Sequence, residues 1–372
     1  MFESQRPHRS RVRLRALALL SLCAASLGAQ ATAPAFAATV ARLSEPGGYF
    51  DSDNLISNET SYLHVVTRLQ QLGVTGGAYV GVGPDQNYSY IAAIRPAVAY
   101  LLDIRRDNAL QHLLFKALFA RSRNRLEYLC YWLGRRVPAD VDRWTERPIL
   151  QLLAYVDTAA LDPKDAERVR GETLHMVEAF GVPLDARDRE TIVRFHGEFM
   201  RQGLELRFSS LGRLNAGDYP TLRRLILERD LRGQMRSYLA RDADWRFVRD
   251  LQQTGRVIPV VGDLAGPHAL AAIGHDAQAR GLRISALYTS NAEMYLWRNG
   301  SFPAFASTVT QLPAAPAGVI IRSYFDRSGG GHPMAVPGHV SVQLLQRLKD
   351  FTRRQRRGAF PSYWDLVTLD AR

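Results

Sequence analysis

Two glycines and two acidic residues stand where a βαβ unit would meet a nucleotide-like ligand. Gly81 and Gly83 follow a short apolar run, and glycine lets a chain turn tightly and approach a ligand closely. Asp85 follows Pro84 at a position suited to a helix start, where a carboxylate can accept from free amides. Asp103 ends the next apolar run, where an acid can accept hydrogen bonds from ribose hydroxyls. The pattern favours a nucleotide-type site over a simple strand-to-helix turn with a solvated Asp103.

The elements around these residues alternate between strand and helix. Apolar runs typical of strands occupy residues 78–82, 98–102, 256–261, 282–288, 317–325 and 363–369. Helical spacing is found at residues 60–72, 108–119, 268–281, 292–297 and 340–351. The sequence therefore predicts an α/β fold of the Rossmann-like type, with a mostly parallel sheet flanked by helices.

The alternation is interrupted between residues 121 and 250. This stretch has helical spacing nearly throughout, and prolines punctuate it. We therefore expect a large all-helical insertion in the α/β domain of residues 38–372, and this insertion could cap the carboxyl ends of the strands.

Residues 1–37 have the three parts of a secretory signal peptide. An arginine-rich head precedes an apolar run at 16–25, and Ala35-Phe36-Ala37 offers small residues to a signal peptidase. The apolar run is too short to span a membrane. We expect a secreted protein, periplasmic or extracellular, cleaved near Ala37 or alternatively after Ala31. Translation from a downstream start would instead leave the protein in the cytoplasm.

The mature chain is basic and retains a single cysteine. The whole chain has 372 residues, a formal net charge of +12 and a pI near 10.0. Most of the positive charge is arginine, which suits contacts to phosphate or carboxylate. The cluster at 353–357 is interpreted as a solvated helix end, so a nucleic-acid partner is not expected. Cys130 lies in an apolar helical run, which predicts core packing. No membrane span is expected in the mature chain, and the sequence does not predict its oligomeric state.

Two motifs and the order of elements carry resemblances to known groups of proteins. Residues 50–59 (FDSDNLISNE) and 81–87 (GVGPDQN) resemble segments of a little-characterised group of bacterial proteins. Residues 60–120 and 255–370 resemble the Rossmann-like fold of class I S-adenosylmethionine-dependent methyltransferases. The second resemblance implies a small-molecule ligand, S-adenosylmethionine, as cofactor.

The methyltransferase resemblance also implies roles for individual residues. Gly81 and Gly83 would face the amino-acid part of the methyl donor, Asp103 its ribose, and Asp263 its adenine amino group. The remaining residues expected at the cofactor are Asp85, Gln86, Asn87 and Arg105.

The residues after the fourth strand would orient a methyl acceptor. Tyr288, Asn291 and Glu293 are placed for this catalytic role, in a direct displacement at the sulfonium methyl. Tyr79 stands where such enzymes usually have an acid, and Asp85 where a third glycine is usual. An exported binding or surface protein without catalysis, built on the same fold, therefore remains the alternative.

The sequence predicts no metal site. Asp51, Asp53 and Glu59 could bind a metal, but they lack EF-hand spacing, and turn formation is favoured for this segment. The histidines are scattered without metal-binding spacing, so structural roles are expected for them. These are His64, His112, His175, His196, His268, His275, His332 and His339. His112 lies close in sequence to the proposed nucleotide-type site.

Overall fold

A six-stranded sheet forms the centre of the molecule. A computed structural model describes residues 1–2, 32–52, 54–160, 162–209, 219–325, 331–358 and 360–369. The strands are β1 (Ala78–Gly81), β2 (Val98–Asp103), β3 (Val257–Val261), β4 (Ile284–Ser290), β5 (Ala314–Phe325) and β6 (Ser341–Arg347). Their order in the sheet is β3-β2-β1-β4-β5-β6. Strands β1 to β5 are parallel, and β6 runs antiparallel to β5. The predicted Rossmann-like α/β fold is confirmed.

The direction of strand addition reverses at β1. The chain moves outward on one side through β2 to β3, then crosses to the other side of β1 to form β4 and β5. Because βαβ crossovers are right-handed, this reversal places helices on both faces of the sheet. It also leaves a crevice beyond the carboxyl ends of β1 and β4, where open α/β sheets bind their ligands.

Fifteen helices are described around the sheet. They are α1 (Ala33–Leu43), α2 (Val66–Gln71), α3 (Gln86–Ile94), α4 (Arg106–Arg121), α5 (Arg125–Leu133), α6 (Ile149–Thr158), α7 (Pro163–Glu178), α8 (Ala186–Gln202), α9 (Leu222–Leu227), α10 (Asp242–Gln253), α11 (Ala269–Ala279), α12 (Ala292–Arg298), α13 (Phe302–Gln311), α14 (Leu348–Gln355) and α15 (Tyr363–Thr368). Short 3-10 helices occupy Val141–Trp144 and Gly203–Glu205.

The segment between α4 and β3, where a helical insertion is predicted, is mainly helical in its described residues. Its described residues form α5 to α10. Two isolated β-bridges pair Arg207 with Thr221 and Arg229 with Met235. Helices α7 and α8 pack against α4, and α10 packs against both α3 and α4. The insertion therefore extends the helical layer on the α4 side of the sheet.

Helix α1 belongs to the folded core. Phe36, Val40 and Leu43 are buried. The Phe36 and Phe180 rings pack edge to face, with their centroids 6.4 Å apart. Residues 3–31, most of the predicted signal peptide, lie outside the described residues. The predicted cleavage site near Ala37 falls inside α1. Within the described parts of the chain, no helix has the length and apolar character needed to cross a membrane.

Two predictions near the C-terminus are wrong. Residues 340–351, expected as one helix, form β6 and then α14, because antiparallel pairing with β5 outweighs the helical spacing. Residues 363–369, expected as a strand, form α15. Its start is fixed by the Ser362 hydroxyl, which accepts a hydrogen bond from the Asp365 N–H at 3.2 Å. By contrast, Cys130 is buried as predicted, and burial raises its pKa to about 12.

Candidate functional site

A cavity of about 280 Å³ lies at the reversal of strand order. Its volume is close to the lower end of the roughly 300–1,000 Å³ typical of small-molecule sites. The carboxyl ends of β1 to β4 form its floor, and residues between 49 and 58 contribute to its roof. Six of the predicted site residues line it: Gly83, Gln86, Asp103, Arg105, Asp263 and Asn291. The lining does not include Gly81, Asp85, Asn87, Tyr288 or Glu293.

A covering segment, defined here as residues 44–52 and 54–59, crosses the carboxyl edge of the sheet above the cavity. Gly48 donates its backbone N–H to the Ile104 carbonyl at 2.7 Å, just beyond β2. The Glu45 carboxylate accepts from the backbone N–H groups of Asp263 and His268, both at 3.0 Å. The segment is thus anchored to the ends of β2 and β3. The helical insertion, expected to cap the strand ends, contributes Phe208 to the lining.

The glycine turn after β1 is held from beneath by His112. Gly83 has a φ of +86°, a left-handed conformation that suits glycine. The His112 Nε2 lies 2.9 Å from the Gly83 carbonyl oxygen, and its Nδ1 lies 2.8 Å from the Tyr88 hydroxyl. Burial lowers the pKa of His112 to about 4, so the ring is neutral and carries one N–H at neutral pH. An Nε2–H donor to Gly83 and an Nδ1 acceptor for Tyr88 satisfy both contacts.

Asn87 and Gly81 build the turn without lining the cavity. The Asn87 amide donates to the carbonyls of Val82, Gly83 and Pro84 at 2.8–3.1 Å. A Cβ at Gly81 would collide with the Asn87 Oδ1 and lie 2.7 Å from the Tyr79 ring. The packing of Asn87 therefore requires a glycine at position 81, and neither residue is among those that line the cavity.

Asp103 and Arg105 form a buried ion pair in the cavity wall. The Arg105 Nε lies 3.3 Å from the Asp103 Oδ1, and the Arg105 backbone N–H donates to the same oxygen at 2.9 Å. Arg105 Nη1 also donates to the Ser52 carbonyl at 2.8 Å, which ties the covering segment to β2. Because each carboxylate oxygen has more than one acceptor position, Asp103 keeps capacity for a ligand hydroxyl.

Two cavity-lining side chains retain free acceptor atoms. Asp263 follows β3, and its Oδ1 accepts from the Ala265 N–H at 2.9 Å. Its Oδ2 has no donor among the described residues. Gln86 is buried, and its Nε2 donates to the Tyr288 hydroxyl at 3.2 Å. Its Oε1 is also buried and without a partner in the part of the chain that the structure describes. Buried polar atoms are normally paired, so this oxygen is available to accept a further hydrogen bond.

Glu59, at the end of the covering segment, lies at the centre of a buried polar network. Its carboxylate accepts from the hydroxyls of Tyr288, at 2.7 Å, and Ser290, and from the Gln343 Nε2 at 2.7 Å. The side chain is fully buried, and this desolvation raises its pKa. Glu59 therefore joins the covering segment to β4 and β6. No local pattern indicates this role, because the partners of Glu59 are far from it along the chain.

Tyr288 and Glu293 do not face the cavity, contrary to the predicted catalytic role. Tyr288 donates inward to Glu59, and it is fully buried. Glu293 forms a bidentate ion pair with Arg322 at 2.5 and 3.1 Å, and both side chains are buried. The helical register of α12 turns Glu293 towards β5. Asn291, which precedes α12, lines the cavity as expected.

Asp85 also lies outside the cavity lining. It precedes α3 as expected, but its side chain makes no capping hydrogen bond. The carboxylate is buried and receives a hydrogen bond from the Tyr238 hydroxyl at 3.4 Å. Desolvation raises the pKa of Asp85 to about 7. The residue faces the aromatic core of the helical layer.

Two cavity-lining residues have strained backbone conformations. Ser290, at the end of β4, has a φ of +54°, and Asn54 in the covering segment has a φ of +52°. Left-handed conformations cost a non-glycine residue of the order of 1–2 kcal/mol. Such strain is concentrated at functional sites. Here it brings a hydroxyl and an amide to the same cavity.

The opposite wall of the cavity is apolar and aromatic. The Phe50 and Tyr295 rings meet edge to face, with centroids 5.0 Å apart and an interplanar angle of 84°. Leu264 and Ile104 extend this wall between the ends of β3 and β2. An apolar and aromatic lining of this kind suits a flat heteroaromatic ring.

The fold and the cavity together define a Rossmann-like α/β protein with a cavity at its topological switch point. The chain belongs to the family described as "Domain of unknown function (DUF7790)", whose model matches residues 55–146 and 213–362. The matched segments contain Gly83, Asp103 and Asp263, and they omit α6, α7 and α8 of the insertion. A comparison with curated proteins gave no match.

Proposed function

We propose that the cavity binds S-adenosylmethionine and that the protein is a methyltransferase-like protein with an acceptor yet to be identified. The observation that supports this most directly is the meeting of Gly83, Asp103 and Asp263 at one cavity. These residues follow or end three strands that are adjacent in the sheet. A nucleoside bound there would have a carboxylate for its ribose and another for its base.

The free atoms of the cavity match the groups of this ligand. Asp103 would accept from the ribose hydroxyls, and the free Oδ2 of Asp263 from the adenine amino group. The unpartnered Oε1 of Gln86 would accept from the ammonium of the amino-acid part. The aromatic wall of Phe50 and Tyr295 would pack against the base. When bound, S-adenosylmethionine supplies an electrophilic methyl group on its sulfonium.

A second function, ligand binding without catalysis, is favoured by the polar residues on the β4 side. Ser290, Asn291 and Asn299 offer hydroxyl and amide groups there. The carboxylate expected beside them, that of Glu293, is occupied by Arg322. A methyl acceptor that must lose a proton would therefore find no general base at this wall among the described residues. An exported binding or surface protein on the same fold is the corresponding alternative.

Calorimetry with the purified protein tests the ligand. S-adenosylmethionine and S-adenosylhomocysteine should bind, and Asp263→Asn should weaken both. Loss of a hydrogen bond to a charged group costs roughly 1.5–3 kcal/mol, a factor of about 10–150 in Kd. Asp250→Asn, an exposed substitution on α10, is the matched control and should bind like the wild type. Absence of heat with millimolar ligand and folded protein would remove the proposal.

Two further measurements separate the enzyme from the binder. The enzyme should transfer labelled methyl groups from S-adenosylmethionine into a cell extract, whereas the binder should retain the ligand without turnover. We also propose export to the periplasm or beyond. Fractionation of cells should then find the protein outside the cytoplasm, and a wholly cytoplasmic protein would contradict export.

A further inference from the structure

Three potential metal ligands meet at a place away from the cavity. His64 precedes α2, Glu228 follows α9, and His339 precedes β6. One ligand atom from each lies within 4.8 Å of the other two. The two imidazole rings have centroids 4.5 Å apart and an interplanar angle of 74°. The cavity lining contains none of these residues.

His64 lacks the partners that a buried histidine normally has. Its exposure is 9 %, and neither ring nitrogen has a hydrogen-bond partner among the described residues. An imidazole whose two nitrogens are both unused has a lone pair available to a cation. The neighbouring imidazole and carboxylate are close enough for one cation to contact all three groups.

The other two residues are already oriented by a second contact. The His339 Nδ1 lies 3.2 Å from the Thr60 hydroxyl, which leaves its Nε2 lone pair for another partner. The Glu228 Oε1 accepts from the Arg229 N–H at 2.9 Å, which leaves Oε2 unused. Hydrogen bonds of this kind fix the ring tautomer and the carboxylate orientation around protein-bound metals.

We propose that His64, Glu228 and His339 bind a divalent transition-metal ion, with Zn²⁺ the best match. Two imidazole nitrogens and one carboxylate oxygen are the ligands of tetrahedral zinc sites that keep a fourth position open. Mg²⁺ is a poor match, because it prefers oxygen ligands and octahedral geometry. The intermediate exposure of Glu228 and His339 leaves room for a water ligand.

Such an ion would also join three distant parts of the fold. The covering segment ends close to His64, the helical insertion carries Glu228, and His339 leads into β6. A ligand that binds only the folded state stabilises it by RT ln(1 + [L]/Kd), which is about 2.7 kcal/mol at a hundred times Kd. We therefore expect Zn²⁺ to raise the melting temperature of the protein.

The test uses untagged full-length protein that has been treated with a chelator and dialysed. Calorimetry with Zn²⁺ should give one ion per chain, and Mg²⁺ at the same concentration should give no heat. His64→Ala and His339→Ala should each weaken Zn²⁺ binding by at least about 100-fold, which is beyond the usual effect of an outer-sphere residue. His275→Ala, an exposed histidine on α11, is the matched control and should behave like the wild type.

Two additional measurements keep the test decisive if an alanine variant fails to fold. Glu228→Gln preserves shape and should weaken Zn²⁺ binding while circular dichroism stays unchanged. Co²⁺ added to the wild type should give visible absorption bands of a low-coordinate nitrogen and oxygen site, and Zn²⁺ should abolish them. Full Zn²⁺ affinity in a folded His64→Ala/His339→Ala double variant, or no binding by the wild type, would overturn the proposal.

Discussion

Replacing Asp85 by asparagine should stabilise the protein more at alkaline pH than at acid pH. The carboxylate is buried with one side-chain donor, the Tyr238 hydroxyl, at 3.4 Å. Burial raises its pKa from 3.8 to about 7 in the folded protein. Between these two values the folded state holds a proton that the unfolded state has lost. The contribution of Asp85 to the free energy of unfolding therefore falls as the pH rises from about 4 to about 7, and it stays at its lower value above pH 7.

The size of the effect follows from the same two pKa values. From pH 5 up to the folded-state pKa of about 7 is an interval of about two pH units. Over this interval the folded protein loses about 3 kcal/mol of stability, at roughly 1.4 kcal/mol per unit. Asparagine keeps an oxygen for Tyr238 and does not ionise. The free-energy difference of unfolding between Asp85→Asn and the wild type should therefore grow by about 3 kcal/mol from pH 5 to pH 8.

Urea unfolding measures this difference. The fluorescence of the buried Trp132 and Trp245 reports unfolding, at pH 5 and at pH 8. Asp250→Asn, which changes an exposed aspartate, should show the same difference from the wild type at both pH values. A pH-independent effect of Asp85→Asn, or a variant less stable than the wild type at pH 8, would refute this view of Asp85.

Three other changes test single features of the fold and site. Gly81→Ala should displace Asn87 and cost about 2–4 kcal/mol of stability; an unchanged denaturation midpoint would show that Asn87 does not hold the turn. Glu293→Gln should lower the free energy of unfolding by about 3–5 kcal/mol, because it leaves a buried arginine without its ion pair. The affinity for S-adenosylmethionine should not change. A weaker affinity would show that Glu293 contributes to the site. Mass spectrometry of exported protein should find cleavage after Ala31, because the later site lies within α1 and would remove part of its buried face; an N-terminus inside α1 would contradict this.

The sequence predicted strands most accurately where one apolar run corresponds to one strand. Residues 78–82 and 98–102 are apolar on both faces, as expected for buried parallel strands, and each lies next to a turn former or an acid. The same reasoning failed at residues 340–351, where the apolar spacing suits a helix and a strand equally. Pairing with β5, a contact that no local pattern shows, decided the outcome.

Only some of the residues predicted for the site line the cavity. Gly83 and Gln86 line the cavity, whereas Gly81 and Asn87 point into the turn and support it. Neighbours in a tight turn face different directions, and a motif does not tell them apart. Glu59 was missed for another reason, since its burial depends on β4 and β6, which lie far along the chain.

A crystal structure of the protein grown with S-adenosylhomocysteine tests the central claim most directly. The nucleoside should occupy the cavity beyond β1 and β4, with its ribose hydroxyls at Asp103 and its adenine amino group at Asp263. A ligand bound anywhere else, or a cavity filled by other side chains in the complex, would contradict the proposed nucleotide-type site.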